Sequence, residues 1–550
     1  MQQTCQLTGK KFTVSDAEKA YCEANNIPLP TIYPFERLRR LFYFRNRPNL
    51  YNSKCAFSNK SILSCIPPEK NFKVYDIDAW ESDKWDGLDY GKDYDFKRPF
   101  FEQLYELLVE VPMPNLSMVR GSVENSDYTN GITGAKNCYL LFGSSFNEDC
   151  LFSRSLWRSR DLVDCFYGYD SELCYDCIYI RNCYQLFYSS RCSNCSDSYF
   201  LENCQSCKNC YGCVNLNHKE YYFYNKALTK DEYQKKLSQI DLSSNKIVQE
   251  EKEKFNKFKQ NFPIKYIFGS QFENSSGNYL QNTKNCLNSY FVSNSEDVDH
   301  SIHIDNAKNC FFMACYGSKA ELIYNCHAAG DNAYNLKFCT DCWDNVHDLE
   351  YCKHTSHGSG NSFGCVSLKR KNYCILNKQY SKEEYNDLIP RIKKHMLETG
   401  EYGQFFPLYF SPFYYNHSEA NDYFPLTKEE ALKMGFPWID EKTPRFDMTY
   451  NIPDKIADAK DDILEATLKC SLSGKKFKII KQELEFYRRN NIPIPQIAPM
   501  ERLKLKTGIC KIYEPEKRSC NKCGKVIKTT YSPQRPEIVY CEECYLKEVY

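Results

Sequence analysis

The sequence predicts a mainly β protein: two Cys- and aromatic-rich β-helix (solenoid) blocks with short helices, flanked by small zinc-ribbon-like α+β modules. Three observations predict it. From about 120 to 225, Asn-Cys and Cys-x2-Cys units alternate with Tyr, Phe and Ile, and cysteines recur twelve apart (Cys138/Cys150, Cys165/Cys177, Cys183/Cys195/Cys207, Cys192/Cys204). A short fixed period without a helical pattern marks a solenoid. The ending of that block, Gly212-Cys-Val-Asn-Leu216, recurs as Gly364-Cys-Val-Ser-Leu368, and its start, Lys136-Asn-Cys138, as Lys284-Asn-Cys286. The two ends of the chain also repeat one another in constant register: Cys5 to Phe12 matches Cys470 to Phe477, Asn25 to Pro30 matches Asn490 to Pro495, and Cys55 and Lys60 fall on Cys520 and Lys525.

In order, residues 1–85 form a degenerate zinc-ribbon-like module and 86–119 a helical linker. Residues 120–260 and 261–400 are the two solenoid blocks, each closing on a helix opened by a capping box, Thr229-x2-Glu232 and Ser381-x2-Glu384. Residues 401–465 are a Pro- and aromatic-rich connector expected to pack over a surface, with a short helix capped at Thr427 and Glu430 and another running from Asp454 through Leu468. Residues 466–550 are the second ribbon module. Open solenoid ends need caps, a role the duplicated end modules fit.

The candidate metal site is Cys520, Cys523, Cys541 and Cys544. Two CxxC pairs a hairpin apart can bring four thiolates onto one tetrahedral Zn²⁺; the alternative is four unligated thiols. VIKTTY and EIVY read as the strands between them, turning at Ser532-Pro533 and Arg535-Pro536. Four thiolates leave no open coordination position, so the zinc is structural. In the N-terminal copy Ser58, Asp76 and Ala79 stand where three of the ligands would be. Each module also begins with a shorter unit, Cys-x-Leu-Ser/Thr-Gly-Lys-Lys-Phe, that resembles small bacterial zinc ribbons of the form CxxCGKxF; the resemblance implies that in the second module Ser473, Ala498 and Glu501 stand where ligands would be, leaving a ribbon-like fold held by packing.

The chain has 550 residues with 31 Cys, 44 Tyr and 35 Phe. It opens on a polar segment and has no apolar run of the ~20 residues that span a bilayer. Cysteine-rich and without an export signal, it reads as cytoplasmic with reduced thiols. Its net charge of +1 hides a division. Residues 466–550 carry 18 Lys and Arg against 9 Asp and Glu, and the block between the end modules carries 41 against 53. Such a basic end invites a polyanion, nucleic acid, through Lys475, Lys476, Lys478, Arg488, Arg489, Arg502, Lys504, Lys525 and Lys528. It equally fits a basic end packed on an acidic centre of the same chain, or a protein partner.

The central cysteines allow three readings: inward ladders of small apolar side chains, further zinc, or redox clusters. The second block also holds six of the nine histidines (His300, His303, His327, His347, His354, His357), with Asp297, Asp299, Asp305 and Asp331. These either line a groove or decorate loops.

The ribbon units, with Arg535-Pro-Glu-Ile-Val-Tyr-Cys-Glu-Glu-Cys-Tyr545 and the FFP, SPF and FPL motifs of the connector, resemble a family of uncharacterised zinc-ribbon proteins of candidate-phyla-radiation bacteria. The resemblance implies this architecture and carries no activity. The expectation is a non-catalytic zinc-binding scaffold or adaptor whose ribbon contacts nucleic acid or a protein. The alternatives are a carbohydrate- or ester-active β-helix enzyme using the His/Asp groove, and a metal-storage or redox protein.

Overall fold

A computed structural model describes residues 1–314, 317–441, 450–509 and 511–549. The chain is mainly β, and its two solenoid blocks are built from triplets. From Asn125 to Tyr224 every third residue has a left-handed backbone, and the residue after it faces inward: Cys138, Leu141, Ser144, Asn147 and Cys150 are all buried. Four such corners make a four-sided coil of twelve residues. Strands stack in parallel with that shift, as in Phe166↔Ile178 and Ile178↔Ser190.

Most side chains of the inward position are small and hydrogen-bond backbone groups that face the narrow interior, with Leu or Ile at others such as Leu141, Leu156 and Ile180. Ser153 donates to Leu151 O at 2.8 Å and accepts the Cys165 N–H at 2.9 Å, one coil on. Cys165 repeats the donor half, with its thiol 3.4 Å from Val163 O and 3.6 Å from Cys174 O. This is why Cys and Ser, rather than Leu throughout, fill the interior. Asn and Asp tolerate the left-handed corner and bond along the column, as Asn203 to Asn215 at 2.8 Å and Asn285 to Asp297 at 2.9 Å.

The second block departs from the twelve-residue period. Its register lengthens to thirteen from Asp305↔Ser318 through Tyr334↔His347 and His347↔Gly360, then returns to twelve at Gly360↔Asn372. Cys326, Cys339, Cys352 and Cys365 carry the same spacing. The extra residue widens one corner, where Gly330 has φ +102° and a Cβ there would lie 2.8 Å from the Trp343 backbone.

The solenoids lie side by side and antiparallel. Tyr167 stacks on Phe291 (centroids 4.6 Å apart), Tyr179 meets Tyr279 at 4.7 Å, and Arg191 lies 5.8 Å from the Phe268 ring. The end modules cross over. The N-terminal module packs on the second solenoid, with Arg37 against Phe312 and Tyr324 donating to Glu18 at 2.9 Å. The C-terminal module packs on the first, with Arg502 to Asp164 at 2.8 Å and Lys506 to Asp176 at 2.6 Å. Val74–Tyr75 pairs with Met113–Pro114, just before solenoid 1, and Val539–Tyr540 pairs with Ile264–Lys265, just before solenoid 2. The two halves are therefore related by a pseudo-twofold.

Helices start at the expected capping boxes, over Lys230–Leu237, Lys382–Glu398 and Lys428–Lys433. The helix expected from Asp454 to Leu468 is instead two short 3-10 turns, Ile456–Asp458 and Asp461–Leu464. Asp454 is spent elsewhere: it accepts from Ser244 Oγ and Lys246 N, closing the start of the Asn245–Lys259 helix. The connector, apart from 442–449, which lie outside the described residues, is core rather than cover. Tyr402, Phe406, Phe410, Tyr415 and Tyr423 are buried. Glu419, fully buried, lies 3.0 Å from Arg154 of solenoid 1 and 3.3 and 3.1 Å from Arg45 and Arg47 of the N-terminal module.

Candidate metal centre

Among the described residues there are four hairpin knuckles, two per end. Each brackets a tight turn, Cys5–Lys10, Cys55–Lys60, Cys470–Lys475 and Cys520–Lys525, in which the Cys N–H bonds the Lys carbonyl at 2.8–2.9 Å. The fifth residue, Gly9, Asn59, Gly474 or Gly524, takes the left-handed turn. A second segment docks beside the turn and runs straight into a helix: Pro34–Tyr43, Ile77–Trp80, Pro499–Ile509 or Glu542–Val549. In the last three knuckles the leading thiol takes the N–H of the residue before that helix at 3.3 Å, from Asp76, Ala498 and Cys541.

Only the fourth knuckle carries a thiol at every ligand position. The sulfurs of Cys520, Cys523, Cys541 and Cys544 all lie within 4.8 Å of one another, Cys523 and Cys541 at 3.7 Å. Tetrahedral bonds of ~2.3 Å place neighbouring sulfurs about 3.8 Å apart, so the cluster fits a metal ion. Among the described residues no other set of three or more His, Cys, Asp or Glu ligand atoms converges as closely. Burial works against the Cys520 thiolate, yet the N–H groups of Cys523, Cys541 and Lys522 bring its pKa down to about 6. Burial and the neighbouring thiols push Cys544 up to about 12. A cation draws the remaining protons off and needs no further ligand. The other knuckles fill the same space with protein contacts: Ser58 to Asp76 at 3.4 Å, Lys475 to Glu501 at 3.4 Å, and Lys10 to Tyr33 at 2.6 Å.

The strand pairing differs from the expected one. Val526–Thr529 pairs back on Glu516–Ser519, while Val539–Tyr540 leaves the hairpin for Ile264–Lys265. On the helix after the last CxxC, the Tyr545 hydroxyl reaches Asn203 at 2.5 Å and Asn215 at 3.0 Å in solenoid 1. The thiol cluster thus closes a module that touches both solenoids.

The expected basic residues separate into two groups. Arg502 is buried on Asp164, Arg489 pairs with Asp161 at 2.8 Å, Arg488 with Asp461 at 2.6 Å, and Lys528 bonds Asn288 at 3.0 Å. Lys475, Lys476, Lys478 and Lys504 line one cleft, and Lys525 is exposed at the fourth knuckle.

The histidines of the second block do not share a groove. His300 pairs with Asp299 at 2.7 Å and stacks on Phe312. His303 lies in the seam between the solenoids, where burial pushes its pKa down to about 3, and accepts or donates to Tyr423 at 2.7 Å. His327 and His354 meet at Asp341, 3.1 and 3.9 Å away. His347 pairs with its neighbour Asp348, and His357 with Glu81. Asp297 and Asp305 bond corner residues, Asn285 and Asn294.

One feature went unread in the sequence although the spacing carries it. On matching faces of the solenoids the charges alternate coil by coil: Glu124, Lys136, Glu148, Arg160, Glu172 in the first and Glu273, Lys284, Glu296, Lys308, Glu321 in the second. One coil near the end of solenoid 1 has thiols at all four inward positions, Cys204, Cys207, Cys210 and Cys213. No protein-family model matches the sequence, and no curated protein is significantly similar to it.

Proposed function

We propose that the protein is a non-catalytic cytoplasmic scaffold, locked by one structural Zn²⁺, that presents the basic surface of its C-terminal module to a polyanionic partner. The observation that carries this reading is the position of the four-thiol cluster. It closes the one module that strand-pairs with the approach to solenoid 2 and hydrogen-bonds the end of solenoid 1. Zinc suits an all-thiolate tetrahedral set, and a closed set serves structure rather than reaction. The cytoplasmic assignment rests on the 29 cysteines of the described residues, all free thiols, which suit a reducing compartment. No helix among the described residues is long and apolar enough to cross a membrane.

The test is chelation of the purified full chain followed by thermal unfolding. The reading expects a lower midpoint, restored by added zinc, and a Cys541→Ser protein that starts low and does not respond. Identical midpoints with and without chelator would overturn it. The coil of Cys204, Cys207, Cys210 and Cys213 favours a second reading, storage of soft metal ions. It requires several ions per chain that survive Cys541→Ser.

A further inference from the structure

We infer that the polyanion site is not the fourth knuckle but the cleft beside the third, and that its occupant is a single-stranded nucleic acid. The inference rests on the scaffold reading and gives its partner a place. The cleft, about 790 Å³, lies between the third knuckle with its helix, the Pro48–Tyr51 stretch of the N-terminal module, and the first coils of solenoid 1. Its three carboxylates are already engaged. Asp422 holds Arg154 at 2.6 Å, Glu501 holds Lys475 at 3.4 Å, and Glu441 holds Lys475 and, at 3.0 Å, His417. Lys476, Lys478, Lys504 and Lys511 remain, lining the same cleft with no carboxylate oxygen within 4.0 Å among the described residues. All four are exposed.

Four exposed lysines lining one cleft attract phosphates, and cleft walls focus that field. The remaining surface selects the kind of polyanion. Leu472 and Leu505 are 57% and 52% exposed at the cleft, and Tyr51 and Tyr139 line it half-buried. Apolar and aromatic surface beside lysines matches a strand whose bases are unstacked and whose backbone is charged. A duplex keeps its base faces inside and offers nothing to these residues.

The experiment is fluorescence anisotropy with fluorescein-labelled oligo(U) and oligo(dT) of about 12 nucleotides, a length within single-strand site sizes. The full chain, Lys476→Glu/Lys504→Glu, and Lys525→Glu/Lys528→Glu are compared, each at unchanged zinc content. Binding by the wild type, weakened about tenfold or more by the cleft pair, with a salt dependence shallower by about 1.4 (two contacts at ~0.7 each), supports the site. Lys478→Ala/Lys511→Ala, a milder change, is expected to weaken binding in the same direction. Oligo(U) against oligo(dT) tells RNA from DNA. Loss only in Lys525→Glu/Lys528→Glu overturns the cleft and leaves the polyanion reading standing. Equal affinity for a duplex of the same length overturns the single-strand assignment, and no binding of oligonucleotide or duplex by the wild type overturns both the cleft and the polyanionic partner.

Discussion

At the scale of the residue, each triplet asks for one left-handed corner and one inward side chain, most often a small hydrogen-bonding group. The Asn–Cys pairing in the sequence reports both demands, and the inward ladder was legible from it. The left-handed backbone at every third position was not, because Tyr167, Phe200 and Leu173 occupy corners at a local cost of about 1–2 kcal/mol that no propensity favours. Stacking repays it: Tyr188 on Phe200 at 4.9 Å and Phe338 on Tyr351 at 4.8 Å run along neighbouring coils. Ser153→Ala removes the acceptor of the Cys165 N–H and should lower stability by about 1–3 kcal/mol in denaturant unfolding, with Ser153→Cys falling between. Glu483 gives a pH prediction. Burial pushes its pKa up to about 7, with the Asp164 carboxylate adding to the rise and the Arg502 guanidinium, which both carboxylates share, opposing it. A carboxyl raised on folding stabilises fully below its unfolded pKa, and that contribution is lost as pH rises through about 7. Glu483→Gln should therefore come nearest the wild type below about pH 4 and be the more stable protein above pH 7, read from unfolding midpoints across that range.

At the scale of the element, parallel in-register coils stack like on like, so a column of one charge would repel itself. Alternation along Lys136, Glu148, Arg160 and Glu172 turns that repulsion into attraction, with Lys136 to Glu148 at 3.9 Å and Arg160 paired to Glu172. Arg160→Glu should destabilise the protein at low salt and be rescued by high salt, since exposed pairs are screened. Helix starts were legible because the capping boxes are local chemistry. The partner of EIVY was not, because its strand pairs with Ile264–Lys265, far away in the chain. Asp454 failed as a helix start for the same kind of reason: its carboxylate serves a helix beginning at Asn245. The thirteen-residue coils were readable in Cys326, Cys339, Cys352 and Cys365, a spacing that the twelve-residue period of the first block does not announce.

At the scale of the whole molecule, the duplication seen in the sequence becomes a crossed pseudo-twofold, with each end module seated on the solenoid farther from it in the chain. The division of charge is partly internal, since Arg489, Arg502 and Lys506 meet Asp161, Asp164 and Asp176 of solenoid 1. The cleft lysines Lys476, Lys478 and Lys504 and the exposed Lys525 take no part in that pairing. The thiol cluster itself was legible from spacing alone; its place between the two solenoids was not. Because that module bridges both, chelation should loosen more than its own loop. Hydrogen exchange should accelerate at Ile264 and Tyr266, whose N–H groups bond Ile538 and Tyr540, as well as at Asn521.

The most direct measurement is metal content, by elemental analysis and native mass spectrometry of anaerobically purified full chain and its Cys541→Ser variant. A metal-locked scaffold predicts about one zinc per wild-type chain and none in the variant. Several metal ions per chain, retained in the variant, would contradict it and move the metal chemistry into the solenoid interior.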